Sequence, residues 1–124
     1  MEKLDDHALA QVADYFQALA VPARLRILNA LRSGPRNVGE LTELTGCSQA
    51  NASKHLGVLA QAGFVERAAR GTSVYYRITD PAIYDLCDLV CGQIRKRYDG
   101  QARLHRLFAR AVPAGVSRRR RARR

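Results

Sequence analysis

The chain has 124 residues, 47% of them hydrophobic, and a formal net charge of +10. That length suits one domain with one modest core, and no apolar run of about 18 residues exists to span a membrane. So basic a chain points to a polyanionic partner, nucleic acid or an anionic membrane surface; without the six arginines at 118–121, 123 and 124 it still carries +4.

Asp5 or Asp6 can cap a first helix running to about Ala18, with an apolar stripe of Leu9, Val12, Ala13, Phe16 and Leu19. After a break at Ala20-Val21, Pro22 suits the first position of a second helix. Its apolar set is Leu25, Ile27, Leu28 and Leu31, and Gly34-Pro35 stops it. Arg24 and Arg26 are expected to be solvated or to face phosphates. Asn37 can cap a third helix, with Val38, Leu41 and Leu44 at helical spacing and Gly46 at its end. Ser48 can cap a fourth. Ala52, Leu56 and Leu59 share one face of that helix, and Gln49, Asn51, Lys54 and His55 line the other. A short helix, a glycine turn and a polar-faced second helix fit a helix-turn-helix, whose second helix enters the DNA major groove.

After Gly63 the period changes to alternation. Residues 64–69 and 72–78 read as two strands around Arg70-Gly71. A hairpin directly after a recognition helix is a wing, and Arg67, Arg70 and Arg77 suit it to the DNA backbone or minor groove. Thr79 or Asp80 can cap a long last helix with Pro81 in its first turn. It is predicted to pass Arg97 toward Arg110, with Asp99-Gly100 as a candidate break. Ile83, Leu86, Cys87, Val90, Cys91, Ile94 and Tyr98 line one side of it.

So small a chain cannot cover both terminal helices, which predicts a homodimer that buries them. Residues 1–110 are thus expected to form a mainly α winged helix-turn-helix domain with a small β-hairpin. Residues 111–124, rich in Pro, Gly, Ser and Arg, are expected to be a basic, disordered tail. The opening residues Met1 to Asp6 lack the basic-then-apolar order of a secretion signal, so a cytoplasmic protein is expected, with thiols rather than disulfides.

Cys87 and Cys91 stand at i and i+4, on one helix face. Two thiolates there can bind one soft ion, such as As(III), Cd or Pb. Cys47, in the turn before the recognition helix, could supply a third sulfur from either protomer. The plain alternative is that these are small core residues at a dimer interface. His7, His105 and Asp85 are isolated and read as surface residues. No nucleophile–base pair, phosphate-cradling glycine loop or zinc motif is present, so an enzyme is not expected.

The order Pro22-Ala-Arg-Leu-Arg-Ile-Leu28, Val38-Gly-Glu-Leu41, Ser48 to Leu56, Gly63-Phe-Val65 and Tyr75-Tyr-Arg-Ile78 resembles the ArsR/SmtB family. The resemblance spans roughly residues 8–98. It implies a bacterial winged-helix repressor that binds double-stranded operator DNA as a dimer. Release would follow the arrival of a metal ion, a metalloid or a reactive sulfur species. It implies DNA contacts from Ser48, Gln49, Asn51, Ser53, Lys54 and His55, with the wing residues Arg67 and Arg70 on phosphates. Side-chain chemistry agrees, because Gln and Asn can read adenine edges while Lys and Arg neutralise phosphates. Ser48 and Ser53 could instead cap or pack, and His55 could instead pack at a helix junction.

The family's sensing arrangements fit this chain unequally. A Cys-X-Cys pair in the first helix of the helix-turn-helix would fall on Val38 to Leu41, which hold no cysteine. A zinc site along the last helix would need a spacing that Asp85, Asp88 and His105 do not provide. Two distant cysteines linked by a sulfur donor would here be Cys47 with Cys87 or Cys91. The expectation is therefore a repressor released when Cys87 and Cys91, with Cys47, bind a thiophilic metal or metalloid. The alternatives are the same fold sensing persulfide or oxidants by cysteine modification, and a nucleic-acid-binding protein without sensing.

Overall fold

The structure, a computed structural model, describes residues 3–108 of the chain. Their order is α1 (Asp6–Leu19), α2 (Pro22–Ala30), a 3-10 turn (Leu31–Ser33), β1 (Arg36–Asn37), α3 (Val38–Thr45), α4 (Gln49–Gln61), β2 (Val65–Arg70), β3 (Ser73–Ile78) and α5 (Ala82–Phe108). The chain divides into two compact units, one ending at Pro81 and the other beginning at Ala82. The expected tail at 111–124 lies outside the described residues.

Local chemistry sets most helix ends. Asp5 caps α1 by accepting from the Ala8 N–H at 2.8 Å. Pro22 starts α2, where its missing N–H costs nothing. At the start of α3, Asn37 Oδ1 accepts from the Glu40 N–H at 2.8 Å and Glu40 Oε1 accepts from the Asn37 N–H at 3.1 Å, a reciprocal capping box. Gly46 closes α3 at φ 76°, a left-handed geometry that costs a side-chain-bearing residue about 1–2 kcal/mol. Ser48 Oγ then accepts from the Asn51 N–H at 3.2 Å and caps α4. At the far end of α4, Phe64 N–H donates to Leu59 O at 2.9 Å and Gly63 N–H to Ala60 O at 3.0 Å, the paired bonds of a Schellman motif.

The core of the first unit gathers on α2, α3 and α4. Ile27, Leu28, Leu41, Leu56 and Leu59 are fully buried, with Leu19, Leu31, Phe64 and Val65 around them. Each such side chain is worth about 1.5–3 kcal/mol in transfer from water. Tyr15 of α1 meets Phe64 edge-on, with ring centroids 4.6 Å apart. Leu25 lies outside this core and is exposed, because Ile27 and Leu28 take the buried face of α2.

The sheet is antiparallel in the order β1-β3-β2. Val65 pairs with Ile78 and Arg70 with Ser73, and Thr79 N–H donates to Phe64 O at 3.0 Å to close the base. The two-residue loop is therefore Gly71-Thr72, not Arg70-Gly71. Gly71 takes the first loop position at φ 61°, which only glycine adopts without strain, and that fixes the register one residue on. The sequence did not suggest β1, whose Arg36 and Asn37 pair with Tyr76 and Tyr75.

In the second unit α5 runs unbroken through Asp99-Gly100 for 27 residues, about 40 Å at 1.5 Å per residue. Its two interior glycines, Gly92 and Gly100, cost about 1 kcal/mol each, which a helix of this length tolerates. Leu89, Val90, Ile94, Tyr98 and Leu104 are exposed along it. Among the described residues no helix is long and apolar enough to cross a membrane.

Candidate nucleic-acid interface and cysteine positions

The seating of α4 decides which of its side chains face outward. Ala52, Leu56 and Leu59 are wholly buried against the first unit's core. Ser48, Gln49, Asn51, Ser53 and Lys54 are exposed, and His55 is half-buried. Five of the six expected DNA-contacting residues are thus exposed, at the cap and in the first half of the helix. Ser48 also caps that helix, so its hydroxyl oxygen is already engaged.

His55 sits at a junction of three helices. Its Nδ1 accepts from Arg24 Nε at 3.2 Å. The same guanidinium donates through Nη1 to Gln17 O at 3.4 Å and Ala18 O at 3.3 Å, in the last turn of α1. Partial burial lowers the His55 pKa below its usual 6.5, and the cations Arg24, Lys54 and Arg26 lower it further. Arg24 is half-buried, which corrects the expectation of a solvated or phosphate-facing cation. One signal in the sequence could have found it. Arg24 stands three and four residues before Ile27 and Leu28, so it shares their buried face. An open groove of about 1020 Å³ runs beside this junction, lined by Asp14 and Gln17 of α1, Arg24 of α2 and Lys54, Val58 and Gln61 of α4.

On the wing, Arg67 and Arg70 are exposed. Arg70 lies over the ring of Tyr75, 5.0 Å from its centroid, a cation–π contact that limits where the guanidinium can point. Arg77 differs. Its Nε donates to Glu66 Oε1 at 2.7 Å, so a carboxylate offsets its charge.

The cysteines fall in both units. Cys47 is half-buried in the turn before α4, and its N–H donates to Thr45 Oγ1 at 3.3 Å. Thr45 Oγ1 in turn donates to Leu41 O at 2.6 Å, which ties the turn to the end of α3. On α5, Cys87 is half-buried and Cys91 exposed. None of the three is in a disulfide. Among the described residues, no group of three or more His, Cys, Asp or Glu side chains is placed to hold a metal ion.

Comparison with known proteins agrees with this architecture. Residues 21–67 match the family model described as "Bacterial regulatory protein, arsR family". The chain is 44% identical over 85 residues to the HTH-type transcriptional regulator NmtR of Mycobacterium tuberculosis, covering 68% of this chain and 71% of that protein. The solution structure of the homodimeric winged helix-turn-helix domain of Mb0332 from Mycobacterium bovis superposes with a TM-score of 0.68 and 34% identity, covering 81% of this chain and 95% of that one. The crystal structure of the antimony-specific transcriptional repressor AntR superposes with a TM-score of 0.67 and 29% identity, covering 80% and 90%. The chain belongs to the arsR family of bacterial regulatory proteins, a family of winged helix-turn-helix transcriptional regulators and not of enzymes.

Proposed function

We propose that this protein is a homodimeric repressor that holds double-stranded operator DNA through α4 and the wing and releases it when its cysteines bind a thiophilic metal or metalloid. The seating of α4 carries the DNA reading. Its apolar face is spent in the core, which leaves Ser48, Gln49, Asn51, Ser53 and Lys54 turned outward. Gln49 and Asn51 have the donor–acceptor pairs that read adenine, and Lys54, Arg67 and Arg70 supply phosphate neutralisation. His55, half-buried beside them, would add one ring nitrogen to this surface. Dimerisation would set two such helices at successive major grooves, about 34–36 Å apart. The likeness to the homodimeric Mb0332 domain supports that assembly.

The sensing half of the proposal rests on Cys87 and Cys91, one helical turn apart with Cys91 exposed. Two sulfurs suit As(III), Cd or Pb, and a third donor would come from Cys47, solvent or a second copy. The likeness to a repressor specific for antimony, itself a thiophilic metalloid, favours this class of effector. Binding would favour a dimer whose two α4 helices no longer fit successive grooves. A coupling of about 1–3 kcal/mol, or about 5–150-fold in affinity, would suffice.

The test uses a duplex of about 30 bp, selected from a random pool by the full-length protein, which spans two half-sites. Arsenite and cadmium should release it from the wild type. The Cys87→Ser/Cys91→Ser double variant should keep the duplex in their presence. Unchanged release from that variant would sink the sensing role of the pair. A Cys47→Ser variant with wild-type release would remove Cys47 from the site.

A further inference from the structure

Arg24 connects three helices through one guanidinium. Its Nη1 donates to Gln17 O and Ala18 O, carbonyls of the last turn of α1, and Gln17 O also accepts from the Ala20 N–H at 3.2 Å. Its Nε donates to His55 Nδ1 on α4 at 3.2 Å. An arginine Nε–H can only donate, so His55 Nδ1 must accept. The imidazole is then neutral and carries its single proton on Nε2.

We propose that Arg24 is a positioning residue for DNA recognition, holding His55 as a neutral ring whose Nε2–H meets the operator as a hydrogen-bond donor. The proposal rests on the reading of α4 as the DNA-facing helix. A histidine free to choose its tautomer could meet either a donor or an acceptor on the nucleic acid. Held by Arg24, it can meet only an acceptor: a phosphate oxygen, a purine N7, guanine O6 or thymine O4. It rejects the amino groups of adenine and cytosine, which offer only N–H. Arg24 thus adds selectivity without touching DNA. It also makes the ring's position depend on where α1 ends, because the guanidinium that fixes His55 is fixed by Gln17 and Ala18.

The electrostatic surroundings keep the ring in the required state. The charges that act on it are Arg24 and Arg26 of α2 and Lys54 of α4, all cationic. Asp14 of α1 lines the groove shared by Arg24 and Lys54. An added proton would turn Nδ1 into a donor facing a donor, and the Arg24 contact would break.

The test needs the full-length protein with nitrogen-labelled histidine. Imidazole spectra of the free protein at about pH 7.5 should show His55 protonated on Nε2. Arg24→Met should raise the His55 pKa toward its usual value, release the tautomer, and weaken binding of the selected duplex about tenfold or more. Should that variant fail to fold, two substitutions at His55 decide. Gln offers both a neutral acceptor and an N–H donor, and Leu offers neither. His55→Leu should lose about tenfold in affinity, and His55→Gln should bind at least about threefold tighter than His55→Leu.

An Nδ1–H tautomer in the wild type overturns the proposal. So does a His55 pKa indifferent to Arg24→Met, or equal binding by the Gln and Leu variants. A wild type that selects no duplex overturns the DNA reading and this proposal together. A wild type that selects one but gives the wrong tautomer overturns this proposal alone.

Discussion

Glu66 and Arg77 face each other at directly paired positions of the wing and share a 2.7 Å contact. Both are substantially exposed, so the pair adds at most about 1 kcal/mol to stability. Its effect is to remove Arg77 from the pool of available cations. Arg67→Ala and Arg70→Ala should each flatten the plot of log affinity against log salt by about one unit, as expected for a lost phosphate contact. Arg77→Ala should flatten it less than either. Filter binding of the selected duplex across a salt series checks this, and an equal effect at all three positions would contradict it.

Val90, Ile94 and Tyr98 recur every four residues on α5, and each is exposed. An apolar row of this kind suits a second copy of the helix. Ile94→Asp places a charge in that row and should give a monomer by light scattering. Affinity for the selected duplex should fall at least about tenfold, since the second half-site no longer adds to the first. A dimeric Ile94→Asp with wild-type affinity would place the interface elsewhere.

The His55 environment contributes to the loss of stability in acid. Burial first, and then Arg24, Lys54 and Arg26, hold its pKa below 6.5 in the folded chain. The unfolded chain takes up that proton near the usual value, so between the two values it binds more protons than the folded state. Stability therefore falls as pH drops from about 6.5 through the folded pKa, and this group has no effect above that window. Thermal melts at about pH 7.5 and 5.5 should show a smaller acid loss for His55→Gln than for the wild type. Identical losses would remove His55 as the cause.

The capping box at Asn37 is expected to matter more than its size suggests. Asn37→Ala leaves the Glu40 N–H without its partner and should cost about 1 kcal/mol. Urea unfolding at fixed protein concentration measures this. Asn37→Asp keeps an acceptor at that position and should recover most of the loss. Equal stability of the Ala and Asp variants would show that the side-chain cap contributes nothing.

What the sequence made legible was local. Asp5, Asn37 and Ser48 accept from N–H groups three residues on, and Pro22 fixes its own φ, so their types and spacing suffice to place four helix starts. Features that depend on distant partners were not legible. β1 exists because Tyr75 and Tyr76 offer it a ladder, and nothing in Arg36-Asn37 announces that. Arg24 looked like a surface cation because its partners, Gln17 and Ala18 before it and His55 well after it, are brought together only by folding. The polar row on α4 was readable from helical spacing alone. The engagement of His55 with Arg24 was not.

Asn37 belongs to two elements at once: it pairs with Tyr75 as the last residue of β1, and it caps α3. No slack separates the wing from the helix-turn-helix at that point. A push on β3 reaches the first turn of α3 through a single residue, so the wing and the helix-turn-helix would travel as one stiff tool rather than as two independent fingers. An allosteric signal then has no need to reshape either part. Tilting the whole tool by a few degrees relative to its twin would be enough to spoil the spacing of the pair.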